Sequence, residues 1–143
     1  MALCKKEERD KMNNRSKRIL IVDDSETFLM YFSILLRRMG FHVIPADSGM
    51  TALKLLRVLM PDIVVLDIAM PQMDGITTLR CIKGDMHTSD IPVIIVTVST
   101  DQKYYKECKK LGCSGYLTKP VKVPDIYNKL NSCMSSIGKK RKS

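Results

Sequence analysis

Three carboxylates, one hydroxyl and one amine carry the chemistry this sequence offers. Asp23 and Asp24 follow the apolar run Ile19-Leu20-Ile21-Val22, and Asp67 follows Ile63-Val64-Val65-Leu66. Thr97 closes Pro92-Val93-Ile94-Ile95-Val96, and Lys119, with Pro120 after it, follows Gly115-Tyr116-Leu117-Thr118. Each reactive group therefore stands at the end of a short apolar stretch. After Asp67 the chain passes Met70-Pro71 and Asp74-Gly75, residue types that make turns for backbone reasons. An acidic residue after a strand is often just the cap of the next helix. Position alone thus leaves Asp67 evenly placed between a cap and a functional carboxylate, and the elements around it decide.

Short, continuously apolar runs are how strands buried on both faces of a parallel sheet read. The spacing predicts a first strand from Arg18, then Ser25 as the N-cap of a helix running to about Arg38. That helix has Phe28, Phe32, Leu35 and Met39 at core spacing and Gly40 as its stop. Phe41 to Pro45 reads as a second strand. Gly49 to about Met60 reads as a helix with Ala52, Leu53, Leu56 and Leu59 on its apolar stripe. After the Asp67 strand come a helix from about Ile76 to Lys83 and the strand ending at Thr97. A polar helix from Asp101 to Leu111, closed by Gly112, follows, then the short strand Gly115–Thr118 and a last helix from about Pro124 to Met134. Five strand–helix units in strict alternation imply an α/β fold, a doubly wound parallel sheet with helices on both faces. Of the common orders, the five-stranded, flavodoxin-like 2-1-3-4-5 arrangement fits this number. In that order the carboxyl ends of strands 1, 3, 4 and 5 bring Asp23, Asp24, Asp67, Thr97 and Lys119 to one crevice, where open sheets bind ligands. Packing does not ask for three carboxylates there. They repel one another, and a hard cation with oxygen ligands is what makes such a cluster sensible.

Composition excludes several other classes. At 143 residues and 45% hydrophobic, the chain suits one globular domain. No apolar run approaches the roughly 20 residues of a membrane helix, and the polar start lacks the apolar core of a secretory signal. Five Cys, at 4, 81, 108, 113 and 133, form no Cys-x-x-Cys, and with only two His a zinc site is not expected. Reduced thiols in a cytoplasmic protein are the expectation. The net charge of +9 is concentrated in a basic N-terminal extension, residues 1–16, and a basic C-terminal tail, residues 137–143. The domain itself is placed at 17–136. Without a helix-turn-helix pair or aromatic–basic interleaving, no direct DNA binding is expected.

The pattern resembles the response-regulator receiver domain of two-component signalling over about residues 17 to 136. The resemblance rests on the pair Asp23-Asp24, the stretch Asp67-x-x-Met70-Pro71-x-Met73-Asp74-Gly75, Thr97 closing strand 4, Tyr116 on strand 5, and Lys119-Pro120. It implies Mg²⁺ as cofactor and a phosphoryl group accepted on Asp67 from a histidine kinase or histidine phosphotransfer protein. By the same resemblance, Asp24 binds Mg²⁺ directly and Asp23 mostly through water, with Asp67 and the backbone carbonyl of Ala69 completing the protein ligands. Lys119 would pair with Asp67 and then a phosphoryl oxygen, Thr97 would offer its hydroxyl, and Tyr116 would follow Thr97 inward as a switch. Lys119-Pro120 is a candidate cis peptide. A downstream protein target would bind the face made by the fourth helix, fifth strand and fifth helix, with the protein a monomer or weak dimer.

Two positions depart from the family's habit. Val98 follows Thr97 where a small residue is usual, and Val121 follows Pro120 where an aromatic is common. A stiff β-branched Val98 at the crevice rim is expected to gate access to Asp67, the alternative being a packing role over Met70. The first helix is apolar beyond its core stripe, so some of Leu29, Met30 and Ile34 are expected to be exposed for phosphodonor docking. With no output domain after residue 138, action through a separate partner is the expectation. A competing reading is an aspartate-nucleophile phosphatase, but that needs a second acid two residues after Asp67, where Ala69 stands. Neither G-x-x-x-x-G-K-[ST] nor G-x-G-x-x-G occurs, which speaks against a nucleotide-binding module.

Overall fold

The computed structural model describes residues 17–70 and 73–142, with side chains described up to residue 135. The basic extension 1–16, Pro71, and the side chains of the basic tail lie outside what is described. Five strands alternate with five helices: β1 (Arg18–Val22), α1 (Glu26–Arg38), β2 (His42–Ala46), α2 (Gly49–Leu59), β3 (Ile63–Leu66), α3 (Gly75–Gly84), β4 (Val93–Thr97), α4 (Gln102–Leu111), β5 (Gly115–Thr118) and α5 (Val123–Lys142). All strand pairings are parallel and the order is β2-β1-β3-β4-β5.

Side chains alternate across a strand, so each buried strand feeds two cores. Ile19, Ile21, Ile63, Val65, Ile94 and Val96 face one side, where α1 and α5 cover them through Phe32, Leu36, Ile126 and Leu130. Leu20, Val22, Val64, Leu66, Val93 and Ile95 face the other, under Leu56 of α2, Leu79 and Ile82 of α3 and Cys108 of α4. The continuous apolar runs are explained by this double coverage. Pro45, which has no amide hydrogen to give a ladder, sits on β2 at the sheet edge.

Three elements differ from the sequence reading. β2 runs one residue later, and Phe41 is buried in the turn before it. On α1 the buried residues are Leu29, Phe32, Ser33 and Leu36, while Phe28, Leu35 and Met39 pack at the margin. Leu29 is therefore core and not a docking residue; Met30, Tyr31 and Ile34 are the exposed ones. Finally, α5 continues to Lys142, past the expected end at Met134. No proline follows Met134, and Lys and Arg are good helix formers that favour a helix C-terminus.

Candidate functional site

The sheet register gathers the reactive groups. Val22 pairs with Leu66, so Asp23 and Asp67 leave neighbouring strands side by side. The Asp67 amide donates to Val22 O at 3.0 Å, and the Asp23 amide to Ala46 O at 3.1 Å. Thr97 pairs with Thr118, and the Lys119 amide donates to Thr97 O at 2.7 Å. This brings residues 23, 67, 97 and 119 to the carboxyl edge of the sheet. The Lys119–Pro120 peptide is cis.

The carboxylates are not caps. Ser25 caps α1, its Oγ accepting from the Phe28 amide at 3.3 Å. Asp74 caps α3, accepting from the Thr77 amide at 2.7 Å. Asp67 instead points into the crevice, with Oδ1 taking the Ala69 amide at 3.1 Å and Oδ2 lying 3.5 Å from Lys119 Nζ. Asp23 accepts the Ser25 amide on Oδ1 at 2.9 Å and Lys119 Nζ on Oδ2 at 2.5 Å. Lys119 thus leans on Asp23 more than on Asp67, the partner expected from the resemblance.

Ligand oxygens of Asp23, Asp24 and Asp67 all lie within 4.8 Å of one another. Asp23 and Asp67 are buried, at 1% and 5% exposure, and Asp24 is exposed. Among the described residues, one ammonium against three carboxylates leaves two negative charges without a counter-charge in a mostly buried corner. Buried charge is expensive unless paired or bound to a metal. The donor set is all oxygen, which suits a hard divalent cation such as Mg²⁺, so the residues present fit that ion.

The supporting shell is tight. A Cβ on Gly75 would meet Asp67 O at 2.1 Å and Ile68 Cα at 2.3 Å, so only glycine lets α3 start this close behind Asp67. Thr97 is fully buried, and its Oγ1 accepts from the Ser99 amide at 3.3 Å. The Tyr116 hydroxyl donates to Ser99 O at 3.3 Å, and its ring meets Tyr105 of α4 edge-on, centroids 5.3 Å apart. Burial pushes the Tyr116 phenol up, with Cys108 nearby adding to the effect. Val98 is 66% exposed beside Thr97, Ala69 is exposed, and Val121 packs onto the α1/α5 core. The grooves of about 580 and 710 Å³ lie elsewhere, around Arg57, Asp85 and Met86 at the ends of α2 and α3, and hold none of these groups.

Two site residues were not foreseen. The Phe28 ring lies under Lys119, Nζ to centroid 4.0 Å, and Ser99 joins Thr97 to Tyr116. Helical spacing marks Phe28 as a core position only; its place four residues after Asp24 is the available signal. Ser99 carried none.

The response regulator receiver domain model matches residues 19–131, most of the chain. The chain belongs to the response regulator receiver family. This receiver domain is 37% identical over 118 residues to protein PilH of Pseudomonas aeruginosa, covering 82% of this chain and 98% of PilH. It is 32% identical over 117 residues to the polar-differentiation response regulator DivK of Brucella ovis, covering 82% and 95%. Among solved structures, the chemotaxis protein CheY4 of Vibrio cholerae superposes with a TM-score of 0.77 at 26% identity, covering 82% and 98%. Receiver domains are signalling phospho-acceptors that typically use Mg²⁺. Among the described residues no helix is long and apolar enough to cross a membrane.

Proposed function

We propose that Asp67 accepts a phosphoryl group from the phosphohistidine of a histidine kinase or phosphotransfer protein, and that the phosphorylated form signals by binding a protein target. The observation that carries this reading is the placement of Asp67. Its carboxylate is buried, caps nothing, and faces an ammonium and two further carboxylates.

An Asp67 carboxylate oxygen attacks phosphorus, the phosphorus–nitrogen bond of the donor breaks, and the electron pair leaves with the imidazole. Asp23, Asp24, Asp67 and the Ala69 carbonyl would hold Mg²⁺, whose contribution is to offset charge on the transferring oxygens. Lys119, now on Asp23 and near Asp67, moves its ammonium to a phosphoryl oxygen. Thr97 presents its hydroxyl from β4, and Tyr116 with Tyr105 couples that strand to α4. The α4–β5–α5 face, with Lys103, Lys106, Lys109 and Lys110, suits an acidic and apolar target. Exposed Met30 and Ile34 on α1 suit docking of the donor. Val98 gates the rim. The setting is cytoplasmic, and the protein is a monomer or weak dimer.

A phosphatase with an Asp nucleophile would turn over. Incubation with acetyl phosphate and small phosphate esters separates the readings: a receiver takes at most one phosphoryl group per chain, and sustained release of phosphate from esters would overturn the proposal.

A further inference from the structure

Lys119 Nζ lies near Asp23 Oδ2 at 2.5 Å, Asp67 Oδ2 at 3.5 Å, and the face of the Phe28 ring at 4.0 Å from its centroid. The carboxylates belong to the site already described. The ring comes from the first turn of α1 and is firmly held. The Phe28 amide donates to Ser25 Oγ, and the ring stacks on Phe32 with centroids 5.0 Å apart and planes 17° apart. Phe32 is buried in the α1/α5 core, so Phe28 has a rigid backing. An ammonium over a ring face is attracted by the ring quadrupole, and more so when desolvated. The Lys119 side chain is only 16% exposed.

The consequence lies in a competition. Asp23 serves the ammonium and also belongs to the cluster that suits a divalent cation. Two cations on one carboxylate repel each other, and strongly where water is scarce. The Phe28 ring attracts the ammonium without taking an oxygen from the cation. An aliphatic side chain would fill the space but lack the quadrupole.

We propose that Phe28 is a positioning residue for phosphoryl transfer: its ring retains the Lys119 ammonium at the crevice when a divalent cation draws on Asp23. Lys119 is then in place for the incoming phosphoryl oxygens. This rests on the reading of Asp67 as the phosphoryl acceptor.

The test uses the full chain with Phe28→Leu, which removes the ring, and Phe28→Tyr, which keeps it, each checked for folding by thermal melting. The first readout needs neither metal nor phosphate. In carbon-13 lysine NMR the Lys119 ε-methylene protons sit upfield through the ring current of Phe28, move to ordinary positions in Phe28→Leu, and stay upfield in Phe28→Tyr. The second readout is acetyl phosphate labelling at saturating Mg²⁺. Phe28→Leu slows it about three- to ten-fold, the size a partly desolvated cation–π contact carries, and Phe28→Tyr labels near the normal rate. In a Lys119→Met background, Phe28→Leu causes no further slowing, because the two act as one unit. Equal slowing by Phe28→Leu in both backgrounds, equal slowing by Leu and Tyr, or a Lys119 signal indifferent to Phe28→Leu overturns this proposal alone. An unsubstituted chain that takes no label on Asp67 overturns the functional reading and this proposal with it.

Discussion

Lys119 Nζ lies 2.5 Å from Asp23 Oδ2, joining residues 96 positions apart. Asp23 is 1% exposed and Lys119 holds its Oδ2, so the pair ties β1 to the end of β5. Removing one member leaves a buried charge alone, which costs more than the pair is worth. In chelator, Lys119→Met should destabilise the fold by about 3 kcal/mol in urea melts, the low end of the range for a broken buried pair because Lys119 keeps some solvent contact. Saturating Mg²⁺ should return much of that stability, since an ion that binds only the folded chain stabilises it by mass action. An equal loss with and without Mg²⁺ would place the ion away from Asp23.

Met30 and Ile34 are exposed at 68% and 47%, while Leu29 beside them is core. Met30→Asp should therefore slow transfer from a phosphorylated histidine-containing donor protein roughly ten-fold, the loss of one good apolar anchor. Labelling by acetyl phosphate should not change. Equal slowing with both donors would remove α1 as the docking surface. Leu29→Asp, by contrast, should unfold the chain, because it puts a bare charge in the core.

The strand ends were legible because sequence and chemistry coincide there: an apolar run stops and an acid follows. The phase of α1 was not legible in the same way. Residues 28–32 and 34–36 are all apolar, so 3.6-residue spacing admits more than one buried face. The sheet chooses Leu29, Phe32 and Leu36. The end of α5 was hidden because no strong stop follows Met134, and one glycine at 138 weakens a helix without ending it. The partner of Lys119 depends on side-chain reach across strands, which spacing does not encode. The place of Phe28 four residues after Asp24 hints at nearness to the site, but its contact with Lys119 depends on the same side-chain reach.

The thiols differ in environment. Burial pushes the Cys108 thiol up to about 11 from the ordinary 9.0, with Cys113 and Glu107 adding to it. Burial also raises Cys113 and Cys133, whereas Cys81 is exposed. At about pH 8, iodoacetamide should alkylate Cys81 well before Cys108, Cys113 or Cys133, because the thiolate is the reacting form. Above the ordinary thiol value the unfolded chain releases the Cys108 proton while the folded chain keeps it. The folded state then binds more protons, and stability should fall as pH rises from 9 towards 11. Peptide mapping and a pH series of urea melts read both. Cys108 reacting as fast as Cys81 in the folded chain would contradict the burial.

Val98 stands 66% exposed next to buried Thr97. A β-branched side chain is bulky near the backbone and stiff at χ1, which is the basis of the gating role proposed for it. Val98→Ala should speed both acetyl phosphate labelling and loss of the label several-fold, about 1 kcal/mol of barrier, at unchanged Mg²⁺ affinity. Unchanged rates, or weakened metal binding, would make Val98 a packing residue.

Phosphoryl acceptance on Asp67 is the claim on which the rest depends. Its most direct test is intact-mass and peptide mapping of the chain after acetyl phosphate treatment, with Mg²⁺ and with chelator, beside Asp67→Asn. The expected result is a single phosphoryl adduct on the Asp67 peptide, formed only with Mg²⁺, removed by hydroxylamine as an acyl phosphate is, and absent from a folded Asp67→Asn protein. The same adduct on Asp67→Asn, or none on the unsubstituted chain with Mg²⁺, would contradict it.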